Sequence, residues 1–453
     1  MNRDSPRYLL VLGLVVTLLC RLAVLAAGYG YTRDLSIFHN PDTRTYVEPA
    51  RYMLASGEFR EDGGQPVVYR TPGYPLFLIP GLFLGSLEAV TIGLQLIVAV
   101  LAGMVVYRTG ILLFSSRRAA FCALLLFAIE PTSALFTACL WSETLFTALL
   151  AVAVCLAIEH MAQGRTRTLL ASAICFAAAA FVRPVGYYVA LVAAAFFVVH
   201  LWRSRPPLAA VGRLLLFACF ALVPLFAWQW RNYRATGYGE FSSAADYNLA
   251  AVDAIAVLES VGIPPEHFPV LIRECAAWRL PAARLPEVRR VALDVMRKHP
   301  WAAARMYFVG LLHTMLGTGA DSWLRYFNVR DSNTRSDWEA ARTQGLLPAL
   351  RQRWRETPSA LALHVLLGLV LLGYLAMAAM GAWRVSGFRA GITFLCCVYG
   401  ALLLLSGAET GNARFRIPLA PALCLMAGRG AERFLTSRQA RRTVSSLDRP
   451  ATA

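Results

Sequence analysis

The sequence has a single lysine, Lys298, and little charge of either sign: only 16% of its 453 residues are Asp, Glu, Lys or Arg. Soluble globular chains carry about 25% charged residues. That shortage, with 57% hydrophobic residues and a mean hydropathy of +0.52, excludes a disordered chain and an ordinary water-soluble enzyme. Also missing are a CxxC pair, a Cys/His cluster, a Walker A loop, a glycine-rich dinucleotide fingerprint and any internal repeat. Zinc, thiol-redox and direct nucleotide chemistry therefore find no support. The ten cysteines do not form a framework. Cys20, Cys122, Cys155, Cys175, Cys219, Cys396, Cys397 and Cys424 lie inside apolar runs, where cysteine acts as a small hydrophobe.

What the chain does have is long apolar runs. They predict an all-α, polytopic membrane helix bundle of about ten spans. The runs lie near 8–28, 88–110, 119–134, 139–160, 168–182, 184–201, 211–229, 358–381, 388–406 and 415–432. The first lacks a cleavage signal and reads as a retained helix. The formal charge of +17 is almost wholly guanidinium. In so apolar a chain it points to orientation and to anionic lipid or phosphate, with no nucleic acid. Arg117 and Arg118, Arg165 and Arg167, Arg203 and Arg205, and Arg384 and Arg389 fall at alternate short connections, with Arg3 and Arg7 at one end and Arg438, Arg441 and Arg442 at the other. Short loops rich in arginine stay inside, so both termini are expected in the cytoplasm.

This parity puts two long segments outside, 29–87 and about 230–357. The expected organisation is an N-terminal bundle (1–231) carrying the first external loop (29–87), an external helical segment (232–357), C-terminal spans (358–432) and a cytoplasmic tail (433–453). Trp301–Leu316 is apolar enough to pass for a span, but crossing there would invert every later loop. It is expected to be an interfacial or re-entrant helix. Thr43–Ser56 reads as a short amphipathic helix with Tyr46, Ala50, Met53 and Leu54 on one side and Asp42 as its cap.

Several residues carry potential chemistry. Asp42 is a helix cap or a general base just outside the first span. Glu143, near the external end of a span, is costly unless paired, so it is either a functional carboxylate or the partner of an arginine such as Arg70 or Arg183. Arg183-Pro184, Arg231-Asn232 and the run Gly411–Pro418, with Arg414 and Arg416, lie at external membrane ends. Single arginines there snorkel; converging, they would clamp a phosphate bidentately.

The ordered set Asp42-x3-Tyr46, Arg70-Thr71-Pro72-Gly73-Tyr74-Pro75, Ser142-Glu143-Thr144-Leu145-Phe146, Arg183-Pro184, Arg231-Asn232 and Arg414-Phe415-Arg416-Ile417-Pro418 resembles the glycosyltransferase C superfamily. The likeness is to its bacterial members related to protein mannosyltransferases and lipid A aminoarabinose transferases. The resemblance implies a membrane enzyme that moves a sugar from a polyprenyl-phosphate donor to a lipid, glycan or protein acceptor. It implies a multi-pass protein of the bacterial cytoplasmic (inner) membrane whose site faces the periplasm or outside. Asp42 is then the catalytic base, Arg70 and Tyr74 line the site, and Arg183, Arg231, Arg414 and Arg416 are donor-phosphate candidates. Glu143 would position the sugar or the acceptor. Asp42 is followed by Thr43 where the familiar pattern often has a second acid, so a divalent cation is an option without a clear ligand set. The rival classes are a transporter or flippase of an anionic lipid-linked substrate, and a membrane scaffold. The polar candidates sit on the external rim rather than at the midplane, which favours chemistry over transport.

Overall fold

The computed structural model describes residues 6–447 except 62, 205, 279, 330–344, 384 and 408–411. Arg3, Arg205, Arg384 and Gly411, and the side chains of Arg438, Arg441 and Arg442, lie outside the described residues. Helix α1 (Pro6–Thr32) is followed by two shorter helices, α2 (Arg44–Ser56) and α3 (Gly73–Phe83). Then come α4 (Leu87–Phe114), α5 (Arg117–Ile129), α6 (Pro131–Thr137), α7 (Glu143–Gln163), α8 (Thr166–Val182) and α9 (Val185–Ser204). The pair α10 (Pro207–Ala221) and α11 (Val223–Thr236) leads into a long connecting segment. That segment holds α12 (Ala244–Asn248), α13 (Ile255–Ser260), α14 (Val270–Ala276), α15 (Leu285–Lys298), α16 (Pro300–Leu316), α17 (Ala320–Tyr326) and α18 (Leu346–Glu356). The bundle is completed by α19 (Pro358–Ala382), α20 (Arg389–Leu404) and α21 (Ala420–Leu447). No strand occurs among the described residues. A lipid environment favours this outcome, because a helix satisfies every backbone group within its own segment.

Among the described residues six helices are long and apolar enough to cross a membrane, or seven when the bent pair α5–α6 counts as one; α8 and α20 are apolar but shorter. The protein is multi-pass. The boundaries differ from expectation in three places. The run expected to be continuous over 119–134 breaks between Ile129 and Pro131, and α5 and α6 meet at 56°. Pro131 disfavours helical backbone at the preceding residue, and Glu130 turns its carboxylate onto the amides of Thr132 (3.3 Å) and Ser133 (2.6 Å) to start α6. The run expected from 139 becomes helical only at Glu143. The last one begins as a 3-10 turn, Ala413–Leu419, that passes into α21 at Ala420. The helix expected at Trp301–Leu316 is present as α16 and leaves Trp301, Phe308, Val309, Leu312 and Leu316 exposed.

The break has a second support. Arg21, fully buried in α1, donates to the carbonyls of Ala128 (3.1 Å) and Phe127 (3.4 Å), which end α5. A guanidinium thus supplies donors to carbonyls that the broken helix leaves open.

Helices α19 and α21 touch backbone to backbone. A Cβ placed on Gly381 would lie 1.9 Å from the Met426 carbonyl oxygen, and one on Gly430 would lie 1.9 Å from that of Met377. Small residues at a helix crossing allow this approach, which replaces the hydrophobic effect as the source of contact inside lipid. Gly373, also on α19, has open space where a Cβ would go. Gly381→Val is therefore expected to abolish the monodisperse peak in detergent gel filtration. Gly373→Ala is expected to leave the peak unchanged.

Candidate active site

Five of the motif residues gather at one end of the bundle, opposite the end that carries Arg117, Arg118, Arg165, Arg167 and Arg203. They arrive from separate connections: Asp42 from the α1–α2 turn, Arg70 from the turn before α3, Glu143 from the first turn of α7, Arg183 from the end of α8 and Arg414 from the turn before α21.

Local contacts bring these connections together. The Thr43 hydroxyl donates to the Leu140 carbonyl (3.2 Å), and the Leu140 amide donates to the Phe38 carbonyl (2.8 Å). These two bonds pin the Asp42 turn against the α6–α7 connection. A Cβ on Gly73 would sit 2.6 Å from the Phe181 carbonyl oxygen, so only glycine lets the start of α3 rest on the last turn of α8. That contact brings the turn carrying Arg70 to the end of α8, where Arg183 lies. The segment after α11 closes the ring of contacts: the Ser242 hydroxyl donates to the Tyr69 carbonyl (2.7 Å) and the Ser243 amide to the Val68 carbonyl (2.9 Å).

At the centre is Arg414. Its Nε donates to Glu143 Oε1 at 2.6 Å and its Nη1 to Asp42 Oδ2 at 3.0 Å. The same Glu143 oxygen accepts from Arg183 Nη1. Asp42 Oδ1 pairs with Arg70 Nη2 at 3.1 Å, and Arg70 Nε donates to the Thr45 hydroxyl at 2.8 Å. Three guanidinium groups face two carboxylates, which leaves one positive charge in excess. The two carboxylates differ in access: the side chain of Glu143 is 1% exposed and that of Asp42 is 31% exposed. Aromatic faces back the cations, with Arg414 4.0 Å from the centre of the Trp141 ring and Arg70 4.4 Å from that of Tyr46. Burial alone would lower the pKa of Arg414, but Glu143 and Asp42 outweigh it and hold the value above the ordinary one. For Arg70 burial is likewise outweighed, by Tyr46, Tyr69 and Asp42.

Asp42 does not cap α2: Thr43 takes the cap position without a side-chain bond, and the Asp42 carboxylate is committed to the two arginines. On α2 the buried side is Tyr46, Val47, Pro49 and Ala50, while Leu54, expected with them, is exposed. Glu143 pairs with Arg183 and Arg414, not with Arg70.

Three of the named candidates stand apart from the cluster. Tyr74 is fully buried and donates to Gln95 Oε1 (2.9 Å), whose amide in turn donates to the carbonyls of Thr137 and Cys139. Arg231 donates to the carbonyls of Val67 (2.8 Å) and Phe59 (2.9 Å), bracing the loop that leads to Arg70. Arg416 donates to the carbonyls of Thr314, Met315 and Gly317, at the end of α16. Sequence reasoning passed over Trp141 and Thr45 as site residues. Their only signal was adjacency to motif positions.

A divalent cation fits poorly here. Both carboxylates are engaged by guanidinium groups, and among the described residues no group of three or more His, Cys, Asp or Glu side chains converges. Hard cations need several free oxygen ligands.

Neither a protein-family profile nor any curated protein matches this sequence. Solved structures do. The apo oligosaccharyltransferase of Archaeoglobus fulgidus superposes with a TM-score of 0.56 at 12% identity, covering 98% of this chain and 52% of that one. The oligosaccharyltransferase AglB of the same organism, in complex with an inhibitory peptide and a dolichol-phosphate, gives 0.50 at 13% identity, covering 99% and 52%. ArnT from Cupriavidus metallidurans bound to undecaprenyl phosphate gives 0.38 at 14% identity, covering 96% and 81%. The chain thus shares the all-helical fold of the part of the oligosaccharyltransferase that it covers. It spans about half the length of that enzyme.

Removing one partner from a buried charge cluster costs about 3–5 kcal/mol, whereas a pair open to water is worth about 1 kcal/mol or less. Glu143→Gln is therefore expected to lower thermal stability in detergent strongly, and Asp42→Asn only slightly. Equal melting temperatures for the two variants would contradict this division.

Proposed function

We propose that the protein is an integral-membrane glycosyltransferase that moves a sugar from a polyprenyl-phosphate donor to an acceptor hydroxyl on the outer face of the membrane. The observation that carries this reading is the arginine-rich cluster with one open carboxylate. It offers a general base and a surplus cation side by side, which is what sugar transfer from a phosphate leaving group demands. The membrane fold shared with an oligosaccharyltransferase, one of whose structures holds a dolichol-phosphate, supports a lipid-linked donor.

Asp42 takes the proton of the acceptor hydroxyl as its oxygen bonds to the anomeric carbon and the carbon–phosphate-oxygen bond breaks. A single displacement inverts that carbon. Arg414 and Arg183 stabilise the charge that collects on the departing phosphate. Glu143 does not reach the substrate; it fixes both guanidinium groups.

On this reading 29–87 and 232–357 lie outside, the acceptor meets the donor beneath the external segment, and the termini with the 433–453 tail are cytoplasmic. The protein would sit in a bacterial inner membrane. The acceptor is a lipid, a glycan or a protein.

The test is mass spectrometry of surface glycans and glycolipids from a deletion strain. One sugar addition should vanish on deletion and return with the wild-type gene. It should stay down by about 10²–10⁴-fold with stably expressed Asp42→Asn, the range for losing a general base. Arg414→Lys should also fail, because an ammonium cannot bind two carboxylates through a planar fork. Full restoration by Asp42→Asn, or unchanged glycans on deletion, would refute the assignment.

A further inference from the structure

Beside the charge cluster an aromatic assembly continues from the same loop. Tyr247 and Trp278 lie face to face, with ring centroids 3.9 Å apart and planes inclined by 26°. Tyr69 stands edge-on to both, 5.6 Å from Tyr247 and 5.0 Å from Trp278. The Arg70 guanidinium lies over the Tyr69 ring at 4.7 Å, and that guanidinium holds Asp42. One contact joins the stack to the ring under Arg70, and two more, from Tyr69 to Arg70 and from Arg70 to Asp42, lead to the base.

Packing does not account for Trp278. Tyr247 lies against the hydrophobic core of the external segment, but Trp278 is in none of the hydrophobic clusters. The residue is 60% exposed although Tyr247 covers one face of its indole, so the opposite face is open to water. Its backbone has φ +55°, a left-handed conformation that a bulky side chain adopts only under strain. The chain therefore holds a large apolar ring in water, in a disfavoured conformation, at the rim of the site.

We propose that Trp278, backed by Tyr247 and Tyr69, is a stacking platform for a sugar ring of the substrate; this rests on the sugar-transfer reading above. The C–H groups on one face of a pyranose carry slight positive polarisation and complement the electron-rich face of indole. Stacking of this kind also fixes the plane of the ring beside Asp42, which a hydrogen bond alone does not. The ring belongs either to the donor sugar or to a sugar of the acceptor.

The experiment uses purified full-length protein added to membranes of the deletion strain, which hold the unmodified acceptor and the native donor lipid. Conversion is followed by mass spectrometry for wild type, Trp278→Ala, Trp278→Gly and Trp278→Phe. Melting temperatures are measured in parallel. Trp278→Ala and Trp278→Gly are expected to convert about 10-fold more slowly at limiting substrate, and Trp278→Phe to stay within a few-fold of wild type. Glycine relieves the left-handed backbone, so Trp278→Gly is expected to melt no lower than wild type even as conversion falls. Rescue of Trp278→Ala by added lipid extract from the deletion strain would assign the stacked ring to the donor. Rescue by added acceptor-bearing fraction would assign it to the acceptor. Wild-type rates in Trp278→Ala and Trp278→Gly, a loss that neither addition overcomes, or a loss that only follows a lower melting temperature would overturn the platform. Membranes left unmodified by the wild-type protein would instead refute the transfer reading itself.

Discussion

Arg414 binds a buried carboxylate and an open one through different nitrogens of the same plane. Glu143 at the membrane end of α7 is tolerable only because Arg414 and Arg183 neutralise it; an unpaired carboxylate at that depth would be expelled or protonated. That requirement forces the end of α8 and the turn before α21 to close over α7. Once they close, Nη1 of Arg414 reaches the α1–α2 turn and draws Asp42 into the group. The charge cluster and the closure of the bundle thus depend on the same guanidinium.

Much of the architecture was legible because a bilayer leaves few options. Apolar length marks the spans, and the alternation of Arg117, Arg165, Arg203 and Arg389 separates one end of the bundle from the other. The break at Glu130-Pro131 was also written in the chain, as a proline preceded by a residue suited to capping. A window of hydropathy runs across it unchanged, so it went unread. Exact starts, such as Glu143 and Ala420, depend on which residue first finds a partner for its amide, and apolarity does not record that.

The site was legible only in part. Arg231, Arg414 and Arg416 look alike in sequence: each is a guanidinium beside aromatic residues at a membrane end. What separates them is the partner each meets. Arg414 meets carboxylates, while Arg231 and Arg416 meet backbone carbonyls of segments about 100 or more residues away in the chain. Side-chain type cannot announce such a choice. It is made when distant turns pack. Asp42 shows the converse, since its position before α2 suits a cap, yet two arginines claim its carboxylate.

The clasp between Arg21 and the end of α5 has a consequence for biogenesis. Its partner carbonyl at Ala128 lies 107 residues further along the chain. At about 5–20 residues per second of synthesis, α1 waits roughly 5–20 s before that partner is made. During that interval an arginine costing about 2.5–3.5 kcal/mol at the centre of a lone helix has only the Thr17 carbonyl of its own helix to bind. Helix α1 therefore has to be held by the insertion machinery, or shifted toward the interface, until α5 emerges. The assembly order of the bundle is in this way imposed by a single side chain of its first helix.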